Sequence, residues 1–478
     1  MKKIKYFKHF FMAFTVFALN ACSDFLEVEM VGRVTIPNFY SDMDGMRAGL
    51  AGMYSEMYNY YSSEFYKYPE LAGNMVDLKA VSPGGEMVDQ YNFTSDPEQE
   101  DGAVSFIWRK VFVAMANVNN LLYYQPDLLA KFPAYTDELN QIKAQALFMR
   151  ALCHFDLCRT YAQPYNYTAD ASHLGVPVLL KTPGPDDNVS RSTVKEVYNQ
   201  IIKDLLESER LFGTAPMVDA YHISKKATQA LLSRVYLYMG DWDNSIKYST
   251  EVINTSELAY ANDYLAMYNN LIEGKEAIFR LNGNLKSTKL GQFYSSSTPV
   301  VLAADTLISL FKDTTDIRFG LFKRDNSTVS KYLTLKYNIQ VPFTTTTERY
   351  DPFVLRVSEM YLNRAEANLN KNELQNASND IKVIIARSLK KAENDVVVNY
   401  DNKSELAQII DAERVKELCF EGHNFFDITR RKQNLVRGAT TNSNIKTLTY
   451  PNDLFVLPIP QTELNANTNM QGNPTVNN

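Results

Sequence analysis

The sequence predicts a mainly α-helical protein, a body of stacked helix–turn–helix repeats that carries an irregular, partly β portion. Three observations predict it. Long stretches place apolar residues at helical spacing, one helix–turn–helix stretch matches another without a gap, and two segments lose that period and fill with Tyr, Phe, Ser, Thr and Asn. The chain of 478 residues is 45% hydrophobic, so it holds enough apolar material for one large core or two associated ones.

The first element is a leader. Lysines at positions 2, 3, 5 and 8 precede an apolar run from Phe10 to Leu19, followed by Leu19, Asn20, Ala21 and Cys22, the order of a secretory signal peptide. Spanning a bilayer takes about 20 consecutive apolar residues, which this chain lacks. The tetrapeptide ending at Cys22 resembles a bacterial lipobox, in which the cysteine is acylated and becomes the new N-terminus. Asn20 departs from the small residue usual there; the alternative is an ordinary leader cut after Ala21. The leader carries four lysines and no acid, so the mature chain is more acidic than the net −6 of the whole. An acidic surface without a basic stripe excludes nucleic acid as a partner. Apart from Cys22, three cysteines remain, Cys153, Cys158 and Cys419, an odd number that rules out a disulfide framework.

Amphipathic helices follow at about 41–60, 104–124, 136–161 and 193–211. Thr193 and Glu196 fit a capping box, each side chain satisfying an orphan N–H of the other's backbone. The repeat comes next: Gln229 to Lys247 matches Tyr361 to Asn379. Its register aligns Gly240 with Asn372, the residue types that most readily take the left-handed conformation ending a helix. It also aligns Trp242 with Leu374, and Ser245 with Ala377 where the second helix crosses the first. This is the logic of tetratricopeptide units, which stack because none buries its apolar face alone. Helix 378–389 then carries Ile381, Ile384, Ile385 and Leu389 on one face. Between these helices, Asn282 to Tyr350 is irregular with short alternating stretches such as Lys331 to Tyr337, and Tyr61 to Gly102 is a second irregular segment. Their aromatic and β-branched content predicts order.

Five motifs in sequence order resemble the SusD/RagB lipoproteins of Bacteroidetes outer membranes: the Cys22 start, Ala144 to Leu157, Leu355 to Ala367, Glu413 to Arg431, and Leu457 to Pro460. The likeness covers nearly the whole chain. His423, Arg431, Cys153 and Cys158 depart from the usual residues and bear on local packing. The resemblance implies a tetratricopeptide-like scaffold with an irregular ligand-binding part. It implies a palmitate-bearing lipid anchor at Cys22, an outward-facing position at the outer membrane, and a SusC-like TonB-dependent barrel as partner. The expected divisions are a signal peptide at 1–21, an N-terminal helical portion at 22–280, a ligand-binding insertion at 281–350 and a C-terminal repeat portion at 351–478.

The charged and sulfur-bearing clusters read as structure. Glu413, Glu417, Glu421, His423 and Asp427 interleave with Arg414, Arg430 and Arg431, as a charge network at a helix end does, so no enzyme is expected. Cys153 and Cys158 lie five apart and point to different sides of a helix, which excludes them as a metal pair around His154. Gly84 and Gly85 stand alone, and Lys275 is followed by Glu276 where a phosphate loop needs Ser or Thr, so no cofactor is implied.

Sugar binders stack pyranose faces on aromatic rings and hold hydroxyls with Asn, Asp and Gln. Both tryptophans, Trp108 and Trp242, sit at core positions, so Tyr and Phe must supply any stacking surface. The candidates are Asn74, Asp77, Tyr91 and Phe93 in the first irregular segment, and Phe293 and Tyr294 in the second. The expected ligand is an oligosaccharide, with peptide as the alternative and a scaffold for protein partners as the third reading.

Overall fold

The computed structural model describes residues 34–268, 274–283, 290–295, 299–325, 331–337 and 351–474. The leader and Cys22 lie outside the described residues. Among the described residues no helix is long and apolar enough to cross a membrane.

The longer helices are α1 (Met43–Tyr61), α2 (Glu64–Leu71), α3 (Ala103–Lys131), α4 (Thr136–Tyr161), α5 (Val194–Phe212), α6 (Lys225–Met239), α7 (Trp242–Ile253), α8 (Val357–Asn370), α9 (Leu374–Leu389), α10 (Lys403–Leu418) and α11 (Asn424–Arg430). Neighbours in sequence pack in succession from α3 through α9, and α10 lies against α8 and α9. The predicted helices are present, α3 running seven residues past its expected end. The capping box is formed: Thr193 Oγ1 accepts from Glu196 N at 3.2 Å, and Glu196 Oε2 accepts from Thr193 N at 2.8 Å.

The two repeat hairpins share their turn chemistry. Gly240 (φ 76°) and Asn372 (φ 64°) both take the left-handed conformation. Ser233 and Ser245 in the first hairpin, and Ala365 and Ala377 in the second, are fully buried. Side chains this small let the two helices of each pair approach closely. Arg234 of α6 joins the hairpins by a buried pair with Glu359 of α8 at 2.6 Å.

Both irregular segments contribute to one antiparallel sheet of order β1-β3-β5-β4, from Val76–Leu78, Val301–Ala303, Tyr332–Thr334 and Phe322–Arg324. Asp77 faces Leu302 in the register, and Ala303 faces Tyr332. A second pair, β2 (Ala277–Arg280) with β6 (Phe353–Arg356), leads into α8, and β7 (Leu435–Val436) pairs with β8 (Thr447–Leu448) after α11.

The sheet region is fastened to the helices by buried charge. Arg356 reaches Glu276 at 2.8 Å, Glu417 at 2.6 Å and Glu421 at 2.8 Å. Arg387 of α9 meets Glu417 at 2.6 Å, and Arg318, beside β4, meets Asp316 and Glu413, each at 2.7 Å. Lys336, after β5, pairs with Glu421 and donates to the carbonyls of Glu417 and Cys419. The charges interleaved between residues 413 and 431 thus form a network, but its partners also come from positions 276, 318, 336, 356 and 387.

Candidate functional site

Asn74 and Asp77 stand at the start of β1, where the chain leaves α2 and meets α11. Gly73 permits this approach, since a Cβ there would lie 1.9 Å from Asn424 Oδ1. That oxygen accepts from Asn74 N at 2.9 Å, and Asn74 Nδ2 donates to the Val436 carbonyl at 2.9 Å. Asp77 is buried. It accepts from Tyr91 at 2.9 Å and pairs with Lys331 at 3.1 Å. Tyr91 is also hydrogen-bonded to Thr441 and Asn442, so the sequence-predicted pair Asp77 and Tyr91 forms a closed polar knot under the loop 438–443. Burial and the neighbouring carboxylate push the Tyr91 phenol well above its usual pKa.

The expectation that four rings form an open stacking surface is corrected by their burial. Tyr91 and Tyr294 are 0% exposed, Phe293 is 1% and Phe93 6%. Phe93 packs on Phe425, and the Arg437 guanidinium lies 4.4 Å from the centroid of Tyr91 and 5.4 Å from that of Phe93. Tyr294 stacks on Tyr337, and Phe293 lies under Lys67. Removing Tyr91 or Tyr294 would therefore open a cavity in the packing rather than trim a surface. Arg437, not singled out in the sequence, organises the loops: it donates to the carbonyls of Gly73, Leu71 and Tyr91. Burial lowers its pKa to about 10, outweighing the opposing pull of Tyr91 and Asp77.

An open cleft of about 290 Å³ lies on the Asn74 side of this knot. Asn74, Met75 and Leu310 form one wall, and Gln408, Asp411 and Val415 of α10 form the other; Asn424 and Ile428 of α11, with Arg431 and Gln433, complete it. Its charges are balanced internally. Arg414 pairs with Asp427 at 2.6 Å, and Arg431 pairs with Asp411 at 2.7 Å and with Glu366. Burial would raise the Asp427 carboxyl, but Arg414 and Arg430 outweigh it and hold it far below the carboxylate range. It remains an acceptor. Two buried atoms of residues lining this cleft lack a protein partner, the acceptor Asn74 Oδ1 and the donor Arg414 Nη2. Both atoms are shielded from solvent, so a ligand hydroxyl, whose oxygen can accept and donate, would pair with either once a side chain of the wall turns aside.

Of the six predicted ligand-binding residues, the structure brings Asn74 to this cleft and joins Asp77 to Tyr91 beside it; Phe93, Phe293 and Tyr294 pack elsewhere. Gln408, Asp411, Asn424 and Gln433 were missed, because the sequence signal of their segment is that of a charged helix end. His154 has both ring nitrogens bound to main chain, Arg150 O at 3.0 Å and Leu179 N at 3.0 Å, and the three described cysteines are free and buried. Trp108 is buried, its Nε1 donating to Glu463.

Comparison with known proteins adds relatives to this geometry. A family profile described as "Starch-binding associating with outer membrane" matches residues 24–237, and one described as "SusD family" matches residues 310–475. SusD-like protein P2 of Formosa agariphila is 24% identical over 95% of this chain and 96% of its own length. Among solved structures, a SusD superfamily protein of Bacteroides thetaiotaomicron superposes with a TM-score of 0.79 at 24% identity, covering 91% of this chain and all of the other. A structure titled putative sugar binding protein, from Bacteroides vulgatus, gives a TM-score of 0.79 at 25% identity, covering 91% of this chain and 98% of that one.

Proposed function

Because the chain belongs to the SusD/RagB family, we propose that it is a surface-exposed, non-catalytic lipoprotein that binds an oligomeric nutrient, a glycan, and delivers it to a TonB-dependent outer-membrane transporter. The observation that carries the ligand class is the cleft beside Asn74: its charges cancel within the protein, and the acceptor and donor left over match a hydroxyl. A charged ligand would have to displace Asp427 or Asp411 from an arginine, whereas a neutral sugar displaces neither. The matching family is described as starch-binding and the Bacteroides vulgatus structure as a putative sugar binding protein, which supports the same class. Anchoring through Cys22 and docking on a SusC-like barrel are part of this proposal. In cells, Cys22→Ala is expected to lose surface attachment in a labelling assay; retention like the parent's would remove the anchor.

The ligand is tested by titration calorimetry with neutral oligosaccharides and with short peptides. A net hydrogen bond contributes about 0.5–1.5 kcal/mol, so Asn74→Ala is expected to weaken glycan binding about three- to tenfold. Peptide binding without glycan binding would replace the cargo, and binding of the barrel alone would leave a scaffold.

A further inference from the structure

A second cleft, sharing no lining residue with the first, runs along α1. Arg47, Leu50, Ala51, Tyr54, Ser55 and Tyr58 recur at helical spacing on one face of that helix. The eleven steps from Arg47 to Tyr58 span ~16 Å at about 1.5 Å per residue. The opposite wall of the cleft is Tyr221 and His222 with Leu281 and Asn282, leaving an opening of about 380 Å³.

The aromatic wall is held before any ligand arrives. Tyr54 donates its hydroxyl to Gln145 and accepts from Ile223 N at 2.9 Å, so its ring is fixed. Tyr221 donates to Asp351 at 2.7 Å, and the Arg280 guanidinium, 5.4 Å from its centroid, covers part of the ring. His222 stands edge-on to Tyr54, its Nδ1 2.8 Å from Asp219. With Nδ1–H engaged by a carboxylate, Nε2 is the nitrogen left to meet a ligand. The side chain of His222 is 51% exposed, an oriented polar ring at a solvent-facing mouth. Arg47 adds little charge, because Glu138 binds it through two hydrogen bonds of 2.6 and 2.9 Å and Asp44 adds a third at 3.0 Å.

The walls decide the ligand class. A peptide laid here would face, on one wall, a helix whose backbone is satisfied within itself and, on the other, Leu281, whose N–H is already taken by the Pro352 carbonyl. A lipid chain would face Ser55, His222 and Asn282 along the rim. An oligosaccharide suits both features, with ring faces against the aromatic wall and hydroxyls toward the rim. We infer that the α1 cleft is a second carbohydrate-contact site, for a stretch of a neutral oligosaccharide longer than one sugar. It rests on the glycan reading above and extends it to a chain gripped at two places.

The test titrates the full mature protein with maltohexaose, cellohexaose, xylohexaose and mannohexaose, and maps backbone hydrogen exchange with the hexaose that binds. Ala51 is exposed, so Ala51→Trp fills the cleft while removing no packing. His222→Ala deletes the oriented ring and guards against misfolding of the first variant, with circular dichroism as the check. The expected result is at least a fivefold loss of affinity for Ala51→Trp, a two- to fivefold loss for His222→Ala, and protection over residues 47–58. Parent-like binding by both variants, with protection confined to residues 403–433, would overturn this site and leave the glycan reading standing. If no hexaose binds the parent at millimolar concentration while peptides do, both fall together.

Discussion

The hairpins at 225–253 and 357–389 are closed by small residues and left-handed turns, whereas the joint that fastens the sheet region to them is closed by buried charge. In the hairpins the contact is local: Ser233 and Ser245, or Ala365 and Ala377, sit within one helix pair. In the joint it is distant: Arg318, Arg356 and Arg387 converge on Glu417 across as many as 99 positions of sequence. A hairpin tolerates change in proportion to volume. The joint does not, because removing one ion leaves its partners buried with their charge under-compensated. Helix α10 belongs to both the joint and the cleft, offering Glu413 and Glu417 to the former and Gln408, Asp411 and Val415 to the latter. The difference teaches that the repeats carry the molecule while the ionic joint sets the shape of the cleft wall.

The largest effect expected is at the joint. Arg356→Met takes one buried cation from Glu276, Glu417 and Glu421 at once, leaving them to Arg387, Arg318 and Lys336, and should lower unfolding stability by about 3–5 kcal/mol in a urea titration. The surface pair Arg210 and Glu207 is the control, where solvent screens the ions and Arg210→Ala should leave the urea midpoint close to the parent's. Equal losses at the two sites would erase the contrast. Glu421→Gln should also lower the melting temperature, since Arg356 and Lys336 would share a neutral partner.

Acid should act on the same joint and on Glu366, which pairs with Arg430 and Arg431 beside the cleft. Burial would raise the carboxyls of Glu366, Glu417 and Glu421, but Arg430, Arg387 and Arg356 respectively, with neighbouring cations, outweigh it and hold all three below their usual range. A depressed folded-state pKa gives stability that is complete above the unfolded value, about 4.3 for Glu, and that is lost as pH falls towards the folded value. Urea midpoints should therefore drop steeply below about pH 4, and the drop should be shallower in Arg356→Met. An acid limb of unchanged steepness in that variant would place the proton uptake elsewhere.

In the hairpins the effects should be smaller and set by shape. Ala377→Leu overpacks a fully buried crossing and should cost about 1–3 kcal/mol. Gly240→Ala forces a side chain into the left-handed region at φ 76° and should cost about 1–2 kcal/mol, while Asn372→Gly should be close to neutral. A larger loss at Gly240 than at Arg356 would reverse the ranking.

The same contrast explains what the sequence made legible. Helix periodicity, the capping box at Thr193 and the repeat register are properties of neighbours in the chain, and each stands where the pattern puts it. The charge network around Glu417 was readable as a network, but half its members lie in strands and helices far away in sequence. The rings at 91, 93, 293 and 294 were misplaced for that reason too. Composition marks a Tyr- and Phe-rich segment as ordered, but distant partners decide which rings are buried: Arg437 over Tyr91 and Phe93, Tyr337 against Tyr294 and Lys67 over Phe293. Asn74 reached the cleft because it precedes strand β1, whereas Gln408 gave no signal distinct from an ordinary solvated helix face and Gln433 none beyond the turn after α11.

The central claim is that a glycan is held between the start of β1 and the α10–α11 wall. A crystal structure of the mature protein with a bound oligosaccharide tests it most directly. The account predicts sugar density in the cleft of about 290 Å³, with a hydroxyl within hydrogen-bond distance of Asn74 Oδ1. Sugar density elsewhere on the protein with that cleft unvisited, or saturating glycan that leaves no density anywhere, would contradict it.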